Sequence, residues 1–262
     1  MTVVKDILTY LNTLAPPAMK EDWDRVGLNC GRMDRPVQRV LVALDPFFHV
    51  CEEAAAWDAQ LLVTHHALLW TPGFVTDQDQ QGRCALFLME HGIAHINAHT
   101  NLDCAPGGVN DVLARTLGLE DIQVLDPGGV DAEGRPWGLL RAGKVPSMPV
   151  DAFLRRVKQS LHCPGLRYVD GGRPVHRVAV GGGNCSGELQ TVLRAGCDTF
   201  VTADTRYNQF WDAADLGITM IDAGHFYTEN PVCAMLAHKI SRQFPEISVK
   251  VSEKHTDCMK FF

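Results

Sequence analysis

The run Arg39-Val-Leu-Val-Ala-Leu-Asp45 decides the fold class of this chain. Its unbroken β-branched and aliphatic side chains are typical of a strand that is buried on both faces. Beyond it the pattern alternates between a helix over 50–59, an apolar strand over 61–64, a helix over 84–91 and a strand over 93–98. Strands and helices that alternate in this way predict an α/β fold with largely parallel sheets.

The second half of the chain repeats this order of elements. The run Arg177-Val-Ala-Val-Gly-Gly-Gly183 aligns with 39–45, and 200–204 aligns with 62–66 at the same offset. We interpret the matches as an internal duplication of strand, helix and strand. A longer loop in the first half, over 67–81, accounts for a change in the offset further along the chain.

A turn-rich segment separates the two halves. It reads Asp126-Pro-Gly-Gly-Val-Asp-Ala-Glu-Gly-Arg-Pro136, and clusters of glycine, proline and aspartate mark loops. It predicts a first α/β domain over 1–125 and a second over 126–262, with a C-terminal segment that can pack back on the first.

Composition narrows the class of protein. The net charge of −7 and pI near 5.8 give no basic face for nucleic acid. Nine cysteines without a Cys-x-x-Cys pair argue against a disulfide framework and against a thiolate zinc site. Lys5, Asp6 and the Pro16-Pro17 pair are unlike a signal peptide or a membrane span. We therefore expect a cytoplasmic protein that binds neither membranes nor nucleic acid.

Three short segments carry side chains that ligate metal ions. They are Thr64-His65-His66, His99-Thr-Asn-Leu-Asp103 and His225-Phe-Tyr-Thr-Glu229, and each follows a predicted strand. In two of them a histidine precedes a carboxylate by four residues, which places both on one helical face. Imidazole with carboxylate suits Zn, Mn, Fe, Co or Ni. For 65–66, both imidazoles can serve one site only if the chain turns after the strand.

Each of these patterns also has a structural explanation. A pair of histidines can be partly buried and bonded to backbone, and a carboxylate before a helix can simply cap it. Three such segments at strand ends favour metal ligation. Gly181-Gly-Gly-Asn-Cys-Ser-Gly187 can cradle a phosphate, although a tight turn between strand and helix explains it as well. We interpret 21–24 as a solvated turn with a packed Trp23.

Together these segments are similar to those of a known family. Asp22-Trp-Asp-Arg-Val-Gly-Leu28, the three donor segments and Gly181-Gly-Gly183 occur in the order of the dinuclear metal-centre family named GTP cyclohydrolase 1 type 2 homolog, or Nif-three-like. The chain resembles it over nearly its whole length. The resemblance implies two similar, interlocked α/β domains with a metal site between them, and ring-shaped homohexamers.

The resemblance also implies a ligand set for two divalent metal ions per subunit. Carried onto this chain, the ligands are His65, His66, Asp103, His225 and Glu229. His99 is placed by the sequence to hold a ligand in position or to act as a general base, and a structural role is the alternative.

One departure from the family concerns proton transfer. The family has Thr-Gly-Asp followed by Tyr-His, whereas this chain has Thr202-Ala203-Asp204 followed by Tyr207-Asn208. The histidine is absent at Asn208, which puts its role in doubt.

The sequence predicts a metal-dependent hydrolase, cyclohydrolase-like or phosphoesterase-like. Two ions roughly 3.5–4 Å apart would activate a water molecule. The substrate is expected to be a small molecule, and the family name suggests a nucleotide. The alternative is a non-enzymatic protein that binds a ligand through its metals or serves as a scaffold.

Overall fold

The structure is a computed structural model that describes residues 1–70 and 73–261. The helices, in chain order, are α1 Val4–Leu14, α2 Phe48–Ala56, α3 Gln80–Glu90, α4 Thr100–Cys104, α5 Val109–Thr116, α6 Val150–Leu161, α7 Leu189–Arg194, α8 Tyr207–Asp215, α9 His225–Glu229 and α10 Pro231–Gln243. The strands are β1 Gly27–Cys30, β2 Arg39–Ala43, β3 Leu61–Thr64, β4 Ala94–Asn97, β5 Glu120–Leu125, β6 Gly129–Val130, β7 Pro136–Trp137, β8 Leu140–Met148, β9 Arg167–Val169, β10 Val175–Val180, β11 Thr199–Thr202, β12 Thr219–Asp222 and β13 Ser248–Val251. Short 3₁₀ turns form at Pro17–Met19 and Ser186–Glu188.

The chain divides into two compact units. The first contains Met1–Leu102 and Cys233–Thr256, and the second contains Asp103–Val232 and Asp257–Phe262. None of the helices in the described ranges has the length and apolar character needed to cross a membrane.

The first unit contains a five-stranded sheet in the order β1-β4-β3-β2-β13. Strands β13, β2, β3 and β4 are parallel, and β1 is antiparallel to β4. The interior strand β2 is buried along Val40–Ala43, as its aliphatic run predicts. Helix α1 begins where Asp6 accepts a hydrogen bond from the Val3 amide (2.9 Å) and buries Val4, Ile7 and Leu11.

The second unit contains a six-stranded sheet in the order β5-β8-β10-β11-β12-β9. Its three central strands, β10, β11 and β12, are parallel, and antiparallel strands flank them. The predicted α/β class is confirmed. The antiparallel flanks were not predicted, because their pairing depends on distant segments rather than on local periodicity.

The two units share one arrangement of parallel strands, in agreement with the predicted duplication. Successive strands lie side by side, β2-β3-β4 in one and β10-β11-β12 in the other. Thr64 ends the middle strand of the first unit, and its carbonyl accepts a hydrogen bond from the Ala98 amide (3.0 Å). In the second unit, Thr202 ends the middle parallel strand β11, and its carbonyl accepts the equivalent hydrogen bond from the Ala223 amide (2.9 Å). The predicted insertion over 67–81 follows β3 and extends to the first two residues of α3, with residues 71 and 72 outside the described part.

The unit boundary lies at 102/103 rather than at the expected 125/126. Strand β5 pairs with β8, and α5 packs Leu113 and Ala114 into a core with Phe153 and Val178, so both elements belong to the second unit. In the opposite direction, β13 returns to the first unit and pairs with β2. Turn-rich composition marks a loop, but long-range pairing decides which unit a strand joins.

Candidate metal centre

Three histidines of the first unit lie at the carboxyl ends of neighbouring parallel strands. His65 and His66 follow β3, and His99 lies between β4 and α4. The rings of His65 and His66 have centroids 5.0 Å apart, so the chain does turn after the strand. A nitrogen of each of the three rings lies within 4.8 Å of the others. His99, predicted as a positioning residue or a base, therefore belongs to the group of nitrogens that can hold an ion.

Hydrogen bonds fix the orientation of the His65 and His66 rings. His65 is fully buried, and its Nδ1 lies 2.8 Å from the Ala98 carbonyl oxygen. The Nδ1 of His66 lies 2.6 Å from the Asp45 carboxylate. A carbonyl or carboxylate accepts only from a protonated nitrogen, so the Nδ1 atoms carry the hydrogens and the Nε2 atoms carry the lone pairs. Metal-ligating histidines are commonly held in this way.

His99 is held by a buried carboxylate. Its Nδ1 lies 3.0 Å from Asp24, which also accepts a hydrogen bond from the Thr100 amide (3.0 Å). Burial alone would raise the pKa of Asp24, but hydrogen bonds from His99 and Thr100 outweigh it and hold this pKa well below its ordinary value. The expected solvated turn is present over 21–23, but the expectation of a packed tryptophan is wrong, since Trp23 is 64% exposed and it is Asp24 that is buried.

In the second unit, His225 and Glu229 begin and end the single turn of α9. The Nε2 of His225 lies 3.0 Å from the Glu229 carboxylate, as the four-residue spacing predicts. The Nδ1 of His225 lies 2.7 Å from Asp204. Burial lowers the pKa of His225, but hydrogen bonds to Asp204 and Glu229 outweigh it and raise the pKa to about 11. A positive charge is therefore strongly stabilised here, which suits a cation-binding site.

The glycine loop after β10 packs directly against these side chains. Gly183 has a φ of +61°, and a Cβ there would lie 2.1 Å from Oε1 of Glu229 and 3.1 Å from Nε2 of His225. The absence of a side chain at this position leaves the room that the two candidate ligands occupy.

Internal hydrogen bonds of the same loop disfavour a phosphate cradle. The Gly182 amide donates to the Asn110 side chain (2.7 Å), and the Gly183 amide donates to the Thr228 hydroxyl (3.0 Å). These two amides are therefore engaged within the protein rather than directed at a phosphate. Helix α7 behind the loop spans only Leu189–Arg194, so it presents a weak dipole. The loop is the tight turn that was the alternative interpretation.

Asp103 lies in α4 and is buried within the second unit. Its carbonyl oxygen accepts a hydrogen bond from Asn110 (3.3 Å), the residue that also binds the glycine loop. The pKa of the nearby Cys185 thiol is raised by burial first and then by the charges of Asp103 and Glu229. The two carboxylates thus make the local potential negative, again in favour of a cation.

The end of α4 is fixed by a buried arginine. Arg141 is 1% exposed and donates to the carbonyl oxygens of Cys104 (3.2 Å) and Ala105 (3.1 Å). Its charge is balanced by Asp111, with nitrogen and oxygen 3.1 Å apart. These bonds hold the helix that carries Asp103.

Comparisons with known proteins identify the family. The sequence model of Duf34/NIF3 (NGG1p interacting factor 3) matches residues 2–258. The chain belongs to the Duf34/NIF3 family. The resemblance drawn from the sequence segments is thereby confirmed.

Named relatives match along 90–98% of the chain. A Streptomyces coelicolor protein named GTP cyclohydrolase 1 type 2 homolog is 36% identical and covers 98% of this chain and 93% of its own length. A Clostridium perfringens protein of the same name is 30% identical, with 98% and 99% covered. A Helicobacter pylori protein named GTP cyclohydrolase 1 type 2 is 26% identical, with 90% and 91% covered.

Two solved structures share the fold. A hypothetical protein of Staphylococcus aureus is 26% identical, has a TM-score of 0.93 and covers 99% of both chains. A Bacillus cereus protein related to NIF3 is 24% identical, has a TM-score of 0.91 and covers 100% of this chain and 99% of its own.

Sequence reasoning missed the acids that hold the imidazoles. Asp45 follows β2, Asp204 follows β11, and Asp24 precedes β1 in the family-like segment 22–28. The signal that identified the histidines, a polar residue just beyond an apolar strand, also applies to Asp45 and Asp204.

Proposed function

We propose that this member of the Duf34/NIF3 family binds two divalent metal ions per subunit. The proposed ligands are His65 and His66 of the first unit with Asp103, His225 and Glu229 of the second. The proposal is carried by the hydrogen bonds of the three proposed histidine ligands. The Nδ1 atoms of His65, His66 and His225 each lie 2.6–2.8 Å from an oxygen acceptor. This bonding directs the Nε2 atoms toward ligation.

We further propose that the protein is a metal-dependent hydrolase. Divalent ions held by imidazoles and carboxylates polarise a substrate oxygen and lower the pKa of water. The protein contributes the positions of the donors: Asp45 holds His66, and Asp204 holds His225. The names of the relatives support a nucleotide-like substrate, such as GTP.

One observation favours a second function, that of a non-enzymatic protein that binds a ligand through its metals. Asn208 stands where the family has a histidine, and it lies exposed in the first turn of α8. An amide does not exchange protons near neutral pH, so a proton transfer at this position is lost. A hydrolase would then need another base, and His99 is the candidate in the first unit.

Metal analysis tests the ligand set. We expect about two ions per subunit in the wild type, and fewer in His65→Ala and Glu229→Ala. The matched controls are His49→Ala and Glu133→Ala, which change an exposed histidine of the first unit and an exposed glutamate of the second. Unchanged metal content in both ligand variants would remove the assignment.

Turnover separates the two functions. The metal-loaded wild type is assayed with GTP and with a generic phosphodiester, and Asp103→Ala serves as the ligand variant. Hydrolysis that depends on Asp103 supports the enzyme. Full metal loading without hydrolysis of either compound favours the binding protein.

A further inference from the structure

Two tryptophans lie on His99 in the first unit. The ring centroids of Trp70 and His99 are 4.9 Å apart, with planes at 79°, and those of Trp23 and His99 are 5.8 Å apart, with planes at 70°. Trp70 also lies 6.5 Å from the His66 ring. Two indoles therefore border the candidate nitrogen ligands of this unit.

Both indoles leave much of their surface in water. Trp23 is 64% exposed and Trp70 is 37% exposed. Tryptophan normally buries its large apolar surface, and exposed aromatic surface that is grouped at one place commonly marks a binding site. Trp57, by contrast, packs on the core of this unit and lies beneath Lys250.

The loop that carries Trp23 is anchored at both sides of the indole. The Glu21 amide donates to the Thr100 hydroxyl (3.0 Å), and Asp24 accepts from the Thr100 amide (3.0 Å). The backbone around Trp23 is thus fixed to the start of α4, while its ring remains outside the core.

The loop that carries Trp70 is anchored in a similar way. The Leu68 amide donates to Asn29 (2.9 Å), and the Trp70 amide donates to Gln81 (3.2 Å). Asn29 is itself bonded to Asn97 of β4 (2.8 Å). Both loops are therefore held in advance of any ligand, which lowers the entropy lost on binding.

We propose that Trp23 and Trp70 form a stacking site for a nucleobase-like planar heterocycle beside His99. The inference rests on the proposed function and specifies its substrate class. An indole face binds another π face in a sequence-tolerant way, and each such contact contributes substantially to affinity. The acidic net charge of −7 favours a free nucleotide over a nucleic-acid strand.

The test compares ligands with and without a base. The four ribonucleoside monophosphates and ribose 5-phosphate are titrated into metal-loaded protein by calorimetry. We expect at least one nucleotide to bind at least about 10-fold more tightly than ribose 5-phosphate. We expect Trp23→Ala and Trp70→Ala to weaken that binding by about 5- to 100-fold. Trp70→Phe keeps an aromatic ring and should restore most of the affinity.

Trp211→Ala is the matched control, since Trp211 is 59% exposed but belongs to the second unit. It should bind the nucleotide as the wild type does. Metal content and thermal unfolding are measured for each variant, so that loss of metal or of folding is recognised separately. Equal binding of all nucleotides and ribose 5-phosphate, or binding unaffected by either alanine variant, would overturn the stacking site. A wild type that binds no metal would instead overturn the proposed function.

Discussion

Gly183→Ala isolates the contact between the glycine loop and the candidate ligands. The new Cβ would lie 2.1 Å from Oε1 of Glu229, whereas Cβ contacts below 3.0 Å are essentially never found. The carboxylate must therefore move by about 0.9 Å, several times the roughly 0.2 Å tolerance of a metal–ligand bond. We expect metal affinity to fall by about 10- to 100-fold, as when the support of a ligand is removed.

Backbone strain adds a separate and smaller effect. Gly183 has a φ of +61°, where alanine costs about 1–2 kcal/mol of stability. Gly196 has a φ of +70° with open space around it, so Gly196→Ala reports this strain alone. Gly187 has open space and no positive φ, so Gly187→Ala reports the effect of a methyl group within the same loop.

The assay is metal titration by calorimetry together with chemical denaturation. Both control variants should bind metal as the wild type does, and only Gly196→Ala should lose stability. Gly183→Ala should lose both stability and affinity. If Gly183→Ala binds metal normally and loses no more stability than Gly196→Ala, the room at Gly183 does not serve metal binding.

Three other predictions rest on the structure, and a fourth rests on the family resemblance. Burial lowers the pKa of His95 to about 3. The unfolded chain therefore binds the extra proton, and the free energy of unfolding falls by up to about 1.4 kcal/mol per pH unit as the pH drops from about 6.5 toward 3. Urea unfolding of His95→Gln at pH 7, 6 and 5 should lack this slope. Arg141→Met should lower the free energy of unfolding by about 3–5 kcal/mol, because it leaves the buried Asp111 without its positive partner. Lys144→Met removes the exposed pair with Asp121 and should cost at most about 1 kcal/mol. Equal losses of the two variants in chemical denaturation would refute the difference. Asp204→Asn keeps the shape but removes the charge that holds His225, and calorimetry should show about 10- to 100-fold weaker metal binding. If the chain forms the hexamer that its family resemblance implies, light scattering should give about six times the subunit mass of 28.9 kDa; a monomer or dimer at all concentrations would exclude it.

The sequence predicted the parts of the fold that local patterns encode. The aliphatic run at β2 identified a doubly buried strand, and His225 with Glu229 predicted one face of a helical turn. The pairing of β5 with β8 joins residues that are distant along the chain, and no local pattern specifies such a partner. For the same reason the boundary expected at 125/126 lies at 102/103.

The candidate site shows a similar limit. The ligating residue types and their strand-end positions could be found in the sequence, but their hydrogen-bond partners could not. Asp24 resembled an exposed turn residue because it stands in the short polar run Glu21-Asp22-Trp23-Asp24, yet it is buried while Asp22 and Trp23 are exposed. Its burial depends on the bonds to Thr100 and His99, which are formed only when the loop meets the end of β4.

The duplicated unit explains why equivalent positions have different tasks in the two halves. In the alignment of 177–183 with 39–45, Gly183 corresponds to Asp45, and Asp204 corresponds to His66. In the first unit, Asp45 holds the imidazole of His66. In the second unit, Asp204 holds the imidazole of His225, and a side chain at Gly183 would collide with Glu229. An acid therefore holds His66 from the end of β2 in one copy and holds His225 from the end of β11 in the other. The position of the second copy that corresponds to Asp45 is the glycine that leaves room for Glu229.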